Sequence, residues 1–187
     1  MIYKTQSLKK YLDDLSAKLP APGGGSAAAL NAGMGAALIS MVAHFTLGKP
    51  KYADFKGELN KILNSSEKLR NKFLHLADLD VAAYNTKDLK KAINVPLMCC
   101  RLCFEAIKLC PEILKKGNSN LISDVAVAAI MLEAAFASAY FNVDINLKMF
   151  QDKELAKSVR KELDYKLKMA KKIRTETEVE VGKIIRR

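Results

Sequence analysis

The sequence has few of the residues that build metal centres and no pattern that builds sheets. It contains only two histidines, His44 and His75, and its four cysteines all fall between residues 99 and 110. Zinc sites usually pair CxxC units or combine cysteine with histidine, so this distribution favours small core cysteines, and no metal site is expected. No run of β-branched residues alternates with polar ones between turn pairs, so strands are not expected either.

Signals for export and for membrane insertion are also missing. The first ten residues lack an apolar stretch followed by a small-residue cleavage site, and the cysteines form no disulfide framework, so a reducing cytoplasm is expected. The 30 residues between Lys18 and Lys49 carry no charge, but they are mostly Ala, Gly and Ser. Such hydropathy is weak for a membrane span and predicts a buried helix that lets its neighbours approach closely.

The net charge of +11 is the unusual feature of the composition. It points to a polyanion, namely nucleic acid, an anionic membrane or a small multi-anionic ligand. Residues 148–187 hold 13 of the 31 basic residues but also 7 of the 20 acidic ones, with few aromatic residues between them. No nucleic-acid motif occurs, so neither nucleic acid nor a membrane is expected as a partner.

Apolar residues recur at helical spacing through most of the chain. We therefore predict an all-α fold, an up-and-down bundle of about six helices that forms one domain over residues 1–187. The helical patterns cover about residues 7–19, 26–46, 55–83, 88–116, 119–149 and 155–184. Ser26 is a plausible N-cap, and Pro96 and Pro111 should disturb the fourth helix.

Asp80 is the first candidate for chemistry. It follows Phe73 and Leu76 in a seam of apolar or small residues spaced alternately by three and four, whereas Asp78 should point to solvent. A buried carboxyl group must be paired, protonated or kept for a task. Asp80 is therefore either a structural hydrogen-bonding group or a proton-transfer group with a raised pKa.

Three further polar or glycine-rich segments are candidates for ligand binding. Gly23, Gly24, Gly25 and Ser26 precede a helix, where glycines expose backbone amides, although a plain loop is the simpler reading. Asn118, Asn120 and Asp124 offer more polar groups than one helix cap needs, and Lys49 either caps a helix C-terminus or meets an anion.

The apolar helix over residues 119–149 should be central in the bundle. It contains four polar residues, namely Glu133, Asn142, Asp144 and Asn146, and Glu133, Tyr140 and Asp144 share one of its faces. Buried polar groups on a central helix are typical of a pocket or of a polar subunit interface, and the sequence leaves both open.

Taken in order, these segments resemble the cyclodeaminase/cyclohydrolase family of folate enzymes. That family includes the C-terminal domain of formiminotransferase-cyclodeaminase and stand-alone methenyltetrahydrofolate cyclohydrolases. The residues that carry the resemblance are Ala21–Ser26, Ser40–Ala43, Gly48–Lys49, Asp80–Tyr84, Val95–Leu97, Gly117–Asn120 with Ser123–Asp124, and Asn142–Leu147.

The resemblance implies a homodimer of all-helical subunits with a folate pocket at or near the interface. It implies one of two reactions, namely cyclisation of 5-formiminotetrahydrofolate with loss of ammonia, or hydrolysis of 5,10-methenyltetrahydrofolate to 10-formyltetrahydrofolate. The first is favoured because it names the larger group. By the same resemblance Asp80 is the catalytic residue, the glycine loop, Ser26, Lys49, Asn118, Asn120 and Asp124 bind substrate, and no cofactor is needed.

Two expectations qualify this reading. Many members of the family carry a Lys-Leu-Pro element after the Asp-x-x-Ala-aromatic motif, which is absent between Tyr84 and Val95, so a non-catalytic folate-binding or scaffold protein is the alternative. The basic excess fits a folate that bears one or several γ-linked glutamates, because each glutamate adds a carboxylate.

Overall fold

The computed structural model describes residues 2–86, 89–149 and 151–186. Within these ranges no strand occurs, which confirms the predicted all-α class. Short loops and three 3-10 helices join the α-helices, which are α1 (Leu8–Ser16), α2 (Gly24–Thr46), α3 (Lys56–Thr86), α4 (Leu89–Ile107), α5 (Leu109–Lys116), α6 (Ile122–Leu147) and α7 (Lys153–Ile185).

The antiparallel pair of α2 and α6 forms the centre of the bundle. Asn31 Nδ2 donates to the carbonyl oxygen of Met131 at 3.0 Å. A Cβ atom at Gly35 would lie only 2.8 Å from Leu132 Cγ, so the small residues of α2 allow the close approach that the sequence predicted. By length and composition, α2 and Ser119–Leu147 are each apolar enough to cross a membrane, a property that the core helices of globular folds share.

Helix α3 packs antiparallel along the other side of α2. The predicted seam is buried at Leu59, Ile62, Phe73 and Leu76, which confirms that this face of α3 meets a partner helix. Within the interface the hydroxyl of Ser40 donates to that of Ser66 at 2.8 Å, so the two buried polar groups satisfy each other.

Helix α4 covers α6 and carries most of the cysteines. All four cysteines are free and buried, as predicted for small core residues. Burial raises the pKa of the Cys110 thiol to about 12. The predicted fourth helix is divided between Ile107 and Leu109, because Pro111 has no N–H to donate to the carbonyl group of Ile107. Pro96 lies inside α4 and does not end it.

Helix α7 pairs with the polar face of α6 through ions and hydrogen bonds. Arg160 Nε lies 2.8 Å from Asp144 Oδ1, and Tyr140 Oη donates to Asp164 Oδ1 at 2.8 Å. Glu133 lies 3.8 Å from an Arg174 nitrogen atom. This face was predicted to mark a pocket or a subunit interface; instead it is an interface between two helices of the same chain.

Candidate active site

The glycine loop places free backbone amides at the start of α2. The N-cap is Gly23 and the helix begins at Gly24, so the prediction of Ser26 as N-cap is three residues late. The first hydrogen bond of the helix joins the Ala27 amide to the Gly23 carbonyl at 3.0 Å. The amides of Gly24, Gly25 and Ser26 therefore have no acceptor within the helix; the Ser26 amide faces the Asp80 carboxyl group, and those of Gly24 and Gly25 remain available to a ligand.

The Asp80 carboxyl group packs directly against this first turn. A Cβ atom at Gly25 would overlap Asp80 Oδ1 and would lie 2.6 Å from Cγ and 2.8 Å from Oδ2. Only glycine leaves room for this contact. Burial raises the pKa of Asp80, and the Ser26 amide lowers it to a smaller extent. A carboxyl group whose pKa is raised toward neutrality suits proton transfer near neutral pH.

Asp80 opens onto a cavity of about 240 Å³ between α2, α3, α4 and α6. Its wall contains the predicted glycines Gly23, Gly24 and Gly25, together with Pro20, Ala21, Ala83, Tyr84, Ala92, Asn142 and Asn146. Asp80 is the only residue with a formal charge among these lining residues. The cavity thus combines one carboxyl group with neutral polar groups.

Two asparagines on α6 supply amides to this wall. Asn146 Nδ2 donates to the carbonyl oxygen of Ala92 at 2.6 Å, and Asn142 Nδ2 donates to that of Ser138 at 2.9 Å. Holding each side chain by its nitrogen atom leaves its oxygen atom as an acceptor for a ligand. Both were among the polar groups that predicted a pocket or a subunit interface, and the structure places them in the cavity wall, although they were not predicted as substrate-binding residues. Their spacing of four on an apolar helix was the available signal.

The structure brings together only part of the predicted site. Ser26 is fully buried behind the cavity, where its hydroxyl accepts a hydrogen bond from Tyr11. Lys49 follows the C-terminus of α2, about 33 Å from the glycine loop at 1.5 Å per residue. Asn118 lies at that same far end, where its amide donates to Thr46 Oγ1 at 2.9 Å.

Asn120 and Asp124 also lie at the far end of the bundle. The Asn120 amide donates to Asn118 Oδ1 at 3.1 Å, and Asp124 is in the first turn of α6. Within one chain, none of Lys49, Asn118, Asn120 and Asp124 lines the cavity at Asp80. Helices α2 and α6 run antiparallel, so the two polar clusters occupy opposite ends of the pair.

Asp78 does not point to solvent as predicted. Its Oδ1 accepts hydrogen bonds from the backbone amides of Tyr3 at 2.6 Å and Lys4 at 3.3 Å. Its Oδ2 is buried without a hydrogen-bond partner. Asp78 therefore anchors the N-terminal segment two residues before Asp80, an interaction that helical periodicity alone gave no means to predict.

An apolar surface runs along α2 and α6 beside the cavity. Its exposed side chains include Met34 and Phe45 on α2 and Val127, Ile130, Phe141 and Ile145 on α6. Phe141 is the most exposed of them, at 77%. Contiguous exposed apolar side chains of this kind are typical of a protein interface.

No cluster of three or more His, Cys, Asp or Glu side chains with metal-binding proximity occurs in the described ranges. The chemical groups at the cavity are therefore one carboxyl group, helix-start amides, two carboxamides and the Tyr84 phenol. This set can move a proton and can bind a flat, polar, cationic ligand.

Comparisons with known proteins identify similar chains. Residues 7–87 and 86–165 match the family model described as formiminotransferase-cyclodeaminase. The methenyltetrahydrofolate cyclohydrolase of Methylorubrum extorquens is 38% identical over 182 residues, which cover 85% of this chain and 88% of that protein.

Two further relatives extend this similarity. The formimidoyltransferase-cyclodeaminase of Rattus norvegicus is 30% identical over 88% of this chain, which spans only 35% of that longer protein. The crystal structure of formiminotetrahydrofolate cyclodeaminase from Thermotoga maritima superposes with a TM-score of 0.83 at 30% identity, covering 97% of this chain and 96% of that one.

Proposed function

The chain belongs to the formiminotransferase-cyclodeaminase family of folate one-carbon enzymes, and from this premise we propose that the Asp80 cavity binds the one-carbon end of a tetrahydrofolate. The observation that carries the proposal is the charge of the cavity, because Asp80 is the only acidic or basic residue among its lining residues. A 5,10-methenyl bridge and a protonated formimino group are both cationic amidines. A single carboxylate among neutral groups complements such a cation.

The first candidate reaction is hydrolysis of 5,10-methenyltetrahydrofolate. A water oxygen attacks the cationic bridge carbon while Asp80 accepts the proton of that water. The bond from the carbon to N5 then breaks as Asp80 returns the proton to N5, which leaves 10-formyltetrahydrofolate and releases one net proton to solvent. General acid–base catalysis of this kind contributes about 10²–10⁴-fold in rate.

The second candidate is cyclisation of 5-formiminotetrahydrofolate. Here N10 attacks the formimino carbon and loses its proton, and the departing nitrogen gains a proton and leaves as ammonia. One carboxyl group between the two nitrogens can serve both transfers. The similar solved structure favours this reaction. We favour hydrolysis, because the relative at 38% identity, which this chain matches over most of its length, is named a cyclohydrolase.

We also propose that the protein is a homodimer that pairs through the apolar surface of α2 and α6. The cavity of about 240 Å³ is smaller than the 300–1,000 Å³ typical of pockets for drug-sized ligands, so one chain encloses only part of a folate. A two-fold axis across α6 near the middle of this surface would bring the far end of one chain toward the cavity of the other. Asp124 of the partner subunit would then face Asn142 and Asn146.

A complementation experiment tests this composite site. Asp80→Asn and Asp124→Asn each carry one defect, and in a mixed dimer one site has both defects while the other has none. Co-expression of the two should therefore restore about a quarter of wild-type activity, since half of the randomly formed dimers are mixed. Mixed dimers that remain as inactive as the parent variants would contradict the shared site.

The basic excess suits a substrate with a γ-linked glutamate tail. Lys18, Lys90 and Lys148 lie within two residues in sequence of the cavity residues Pro20, Ala92 and Asn146. Affinity should rise with the number of glutamates and fall with added salt. Equal affinity for mono- and polyglutamates, independent of salt, would leave the charge without a role in binding.

The function is tested by incubating the protein separately with 5,10-methenyltetrahydrofolate and 5-formiminotetrahydrofolate while the methenyl absorbance is followed. Decay of the first identifies a cyclohydrolase, and appearance of absorbance from the second identifies a cyclodeaminase. Asp80→Asn should lower kcat by about 10²–10⁴-fold. Turnover of neither substrate, with calorimetry showing folate binding, would support the non-catalytic alternative instead.

A further inference from the structure

Tyr11 on α1 contacts the first turn of α2 at Ser26, behind the cavity. Its Oη donates a hydrogen bond to Ser26 Oγ at 3.2 Å, and both side chains are buried, with exposures of 5% and 0%. Ser26 is the residue whose backbone amide faces the Asp80 carboxyl group. The same residue therefore meets Asp80 through its main chain and Tyr11 through its side chain.

The position of Tyr11 is itself fixed by several contacts. The Tyr3 ring packs edge-on against the Tyr11 ring, with centroids 5.2 Å apart. Tyr3 Oη donates to Asp14 Oδ2 at 3.0 Å, and its backbone amide donates to Asp78. The N-terminal segment is therefore attached at two points near Asp80. Tyr11 binds Ser26 in α2, and Tyr3 binds Asp78 in α3.

We propose that Tyr11 is a positioning residue for Asp80, acting by holding the first turn of α2 through its hydrogen bond to Ser26. A buried phenol next to a buried hydroxyl is costly unless the two are paired, and leucine or phenylalanine would fill the same volume without that requirement. The pair is located where α2 begins with glycines, which favour helical order less than other residues do. The hydrogen bond between Tyr11 and Ser26 therefore stabilises a helical turn that its glycines would otherwise leave more flexible.

Few polar or titratable groups from neighbouring elements lie near Asp80. They are the phenol of Tyr11 on α1, which is close enough for the Asp80 charge to affect its pKa, and three residues that line the same cavity, namely Tyr84 on α3 and the uncharged Asn142 and Asn146 on α6. Burial raises the pKa of Tyr11, and the nearby Asp80 adds to the increase, so the phenol remains a donor at neutral pH. Removing that hydroxyl makes the environment of Asp80 less polar and loosens the Ser26 amide. Both changes disfavour the carboxylate.

The test compares Tyr11→Phe with Tyr3→Phe. Each variant loses one buried phenol hydroxyl from the same cluster, but Tyr3 bonds to Asp14 within the N-terminal segment, away from Ser26. The titration of Asp80 is followed by carbon NMR of its carboxyl group, and kcat and KM are measured against pH. Thermal unfolding and circular dichroism serve as controls for the folding of both variants.

Tyr11→Phe should raise the Asp80 titration midpoint and lower kcat by about three- to tenfold with little change in KM, the range expected for one lost hydrogen bond. Tyr3→Phe should leave both the midpoint and kcat at wild-type values. An unchanged midpoint in Tyr11→Phe, or equal effects in the two variants, would overturn the proposal.

This inference rests on the proposed function for its kinetic part only. The NMR titration needs no substrate. If the wild-type protein turns over neither folate, the proposed function fails, and the effect of Tyr11 on Asp80 is still measured. If the protein is active but Tyr11→Phe titrates like wild type, only the positioning role is refuted.

Discussion

Replacing Gly25 by alanine should disable the site while leaving the fold in place. The added Cβ would lie 2.6 Å from Asp80 Cγ, whereas carbon atoms in contact are normally 3.5–4.0 Å apart. Relief of the overlap therefore requires a shift of about 1 Å between the Asp80 carboxyl group and the first turn of α2. A misplacement of about 1 Å costs roughly 10²-fold in rate.

The stability change in Gly25→Ala combines two opposing terms. Overpacking costs about 1–3 kcal/mol, and replacing a glycine in a helix by alanine returns up to about 1 kcal/mol. The free energy of unfolding should fall by about 0–3 kcal/mol, less than the roughly 5–15 kcal/mol that would abolish folding. The loss of kcat/KM would then exceed anything attributable to unfolded protein.

Two other glycines provide a graded control. Gly57→Ala places its Cβ in open space in the first turn of α3, so activity should remain at the wild-type value. Gly24→Ala places its Cβ 3.6 Å from Asn142 Nδ2, which is ordinary contact, and should have an intermediate effect. Steady-state kinetics and urea unfolding of the three variants measure the series. A Gly25→Ala enzyme with kcat/KM within twofold of wild type would refute the close packing of Asp80 on α2.

Other perturbations have equally defined outcomes. Because burial raises the pKa of Asp80, its ionised form opposes folding above that pKa; Asp80→Asn should therefore be at least as stable as wild type at neutral pH, with the difference vanishing below about pH 4, and a large loss of Tm at pH 7 would contradict this. Hydrogen bonds from Arg101 hold the pKa of Glu162 at about 2, below its usual 4.5, so its contribution to stability is present above pH 4.5 and is lost as the pH falls toward 2. Glu162→Gln should lower the free energy of unfolding by about 1–2 kcal/mol at pH 7 and by less in acid, whereas the exposed Glu176→Gln should change it by less than about 0.5 kcal/mol. Dialysis against EDTA should leave turnover unchanged, since the proposed steps use only the Asp80 proton; a loss that added metal restores would disprove that mechanism.

Periodicity singled out Asp80 independently of the family resemblance, which gave it the catalytic role. A carboxyl group in a seam with Phe73 and Leu76 had to be buried, and the structure places it in the cavity wall with a raised pKa. Composition in the same way predicted that α2 is a buried helix, because a long uncharged run of alanine and glycine is stable in a helical bundle only in its interior. Each of these two inferences depends only on the residue pattern within a single helix.

Features that depend on two elements were beyond the sequence. The start of α2 was misplaced because Gly23 can cap a helix as Ser26 can, and the local sequence does not choose between them. The polar face containing Tyr140 and Asp144 was assigned to a pocket or a subunit interface because no local pattern names α7 as its neighbour. The separation of Lys49 from the glycine loop, by contrast, could have been predicted, because the expected helix over residues 26–46 already spans about 30 Å at 1.5 Å per residue.

The four buried cysteines can report on transient opening of the helical bundle. The thiolate, which is the form that reacts with alkylating reagents, is suppressed at Cys110 by a pKa near 12, and all four cysteine residues are buried in the closed fold. Alkylation therefore requires a transient opening of the helices around α4. Following iodoacetamide uptake by mass in the native enzyme, with and without folate, would give the free energy of that opening without any introduced label.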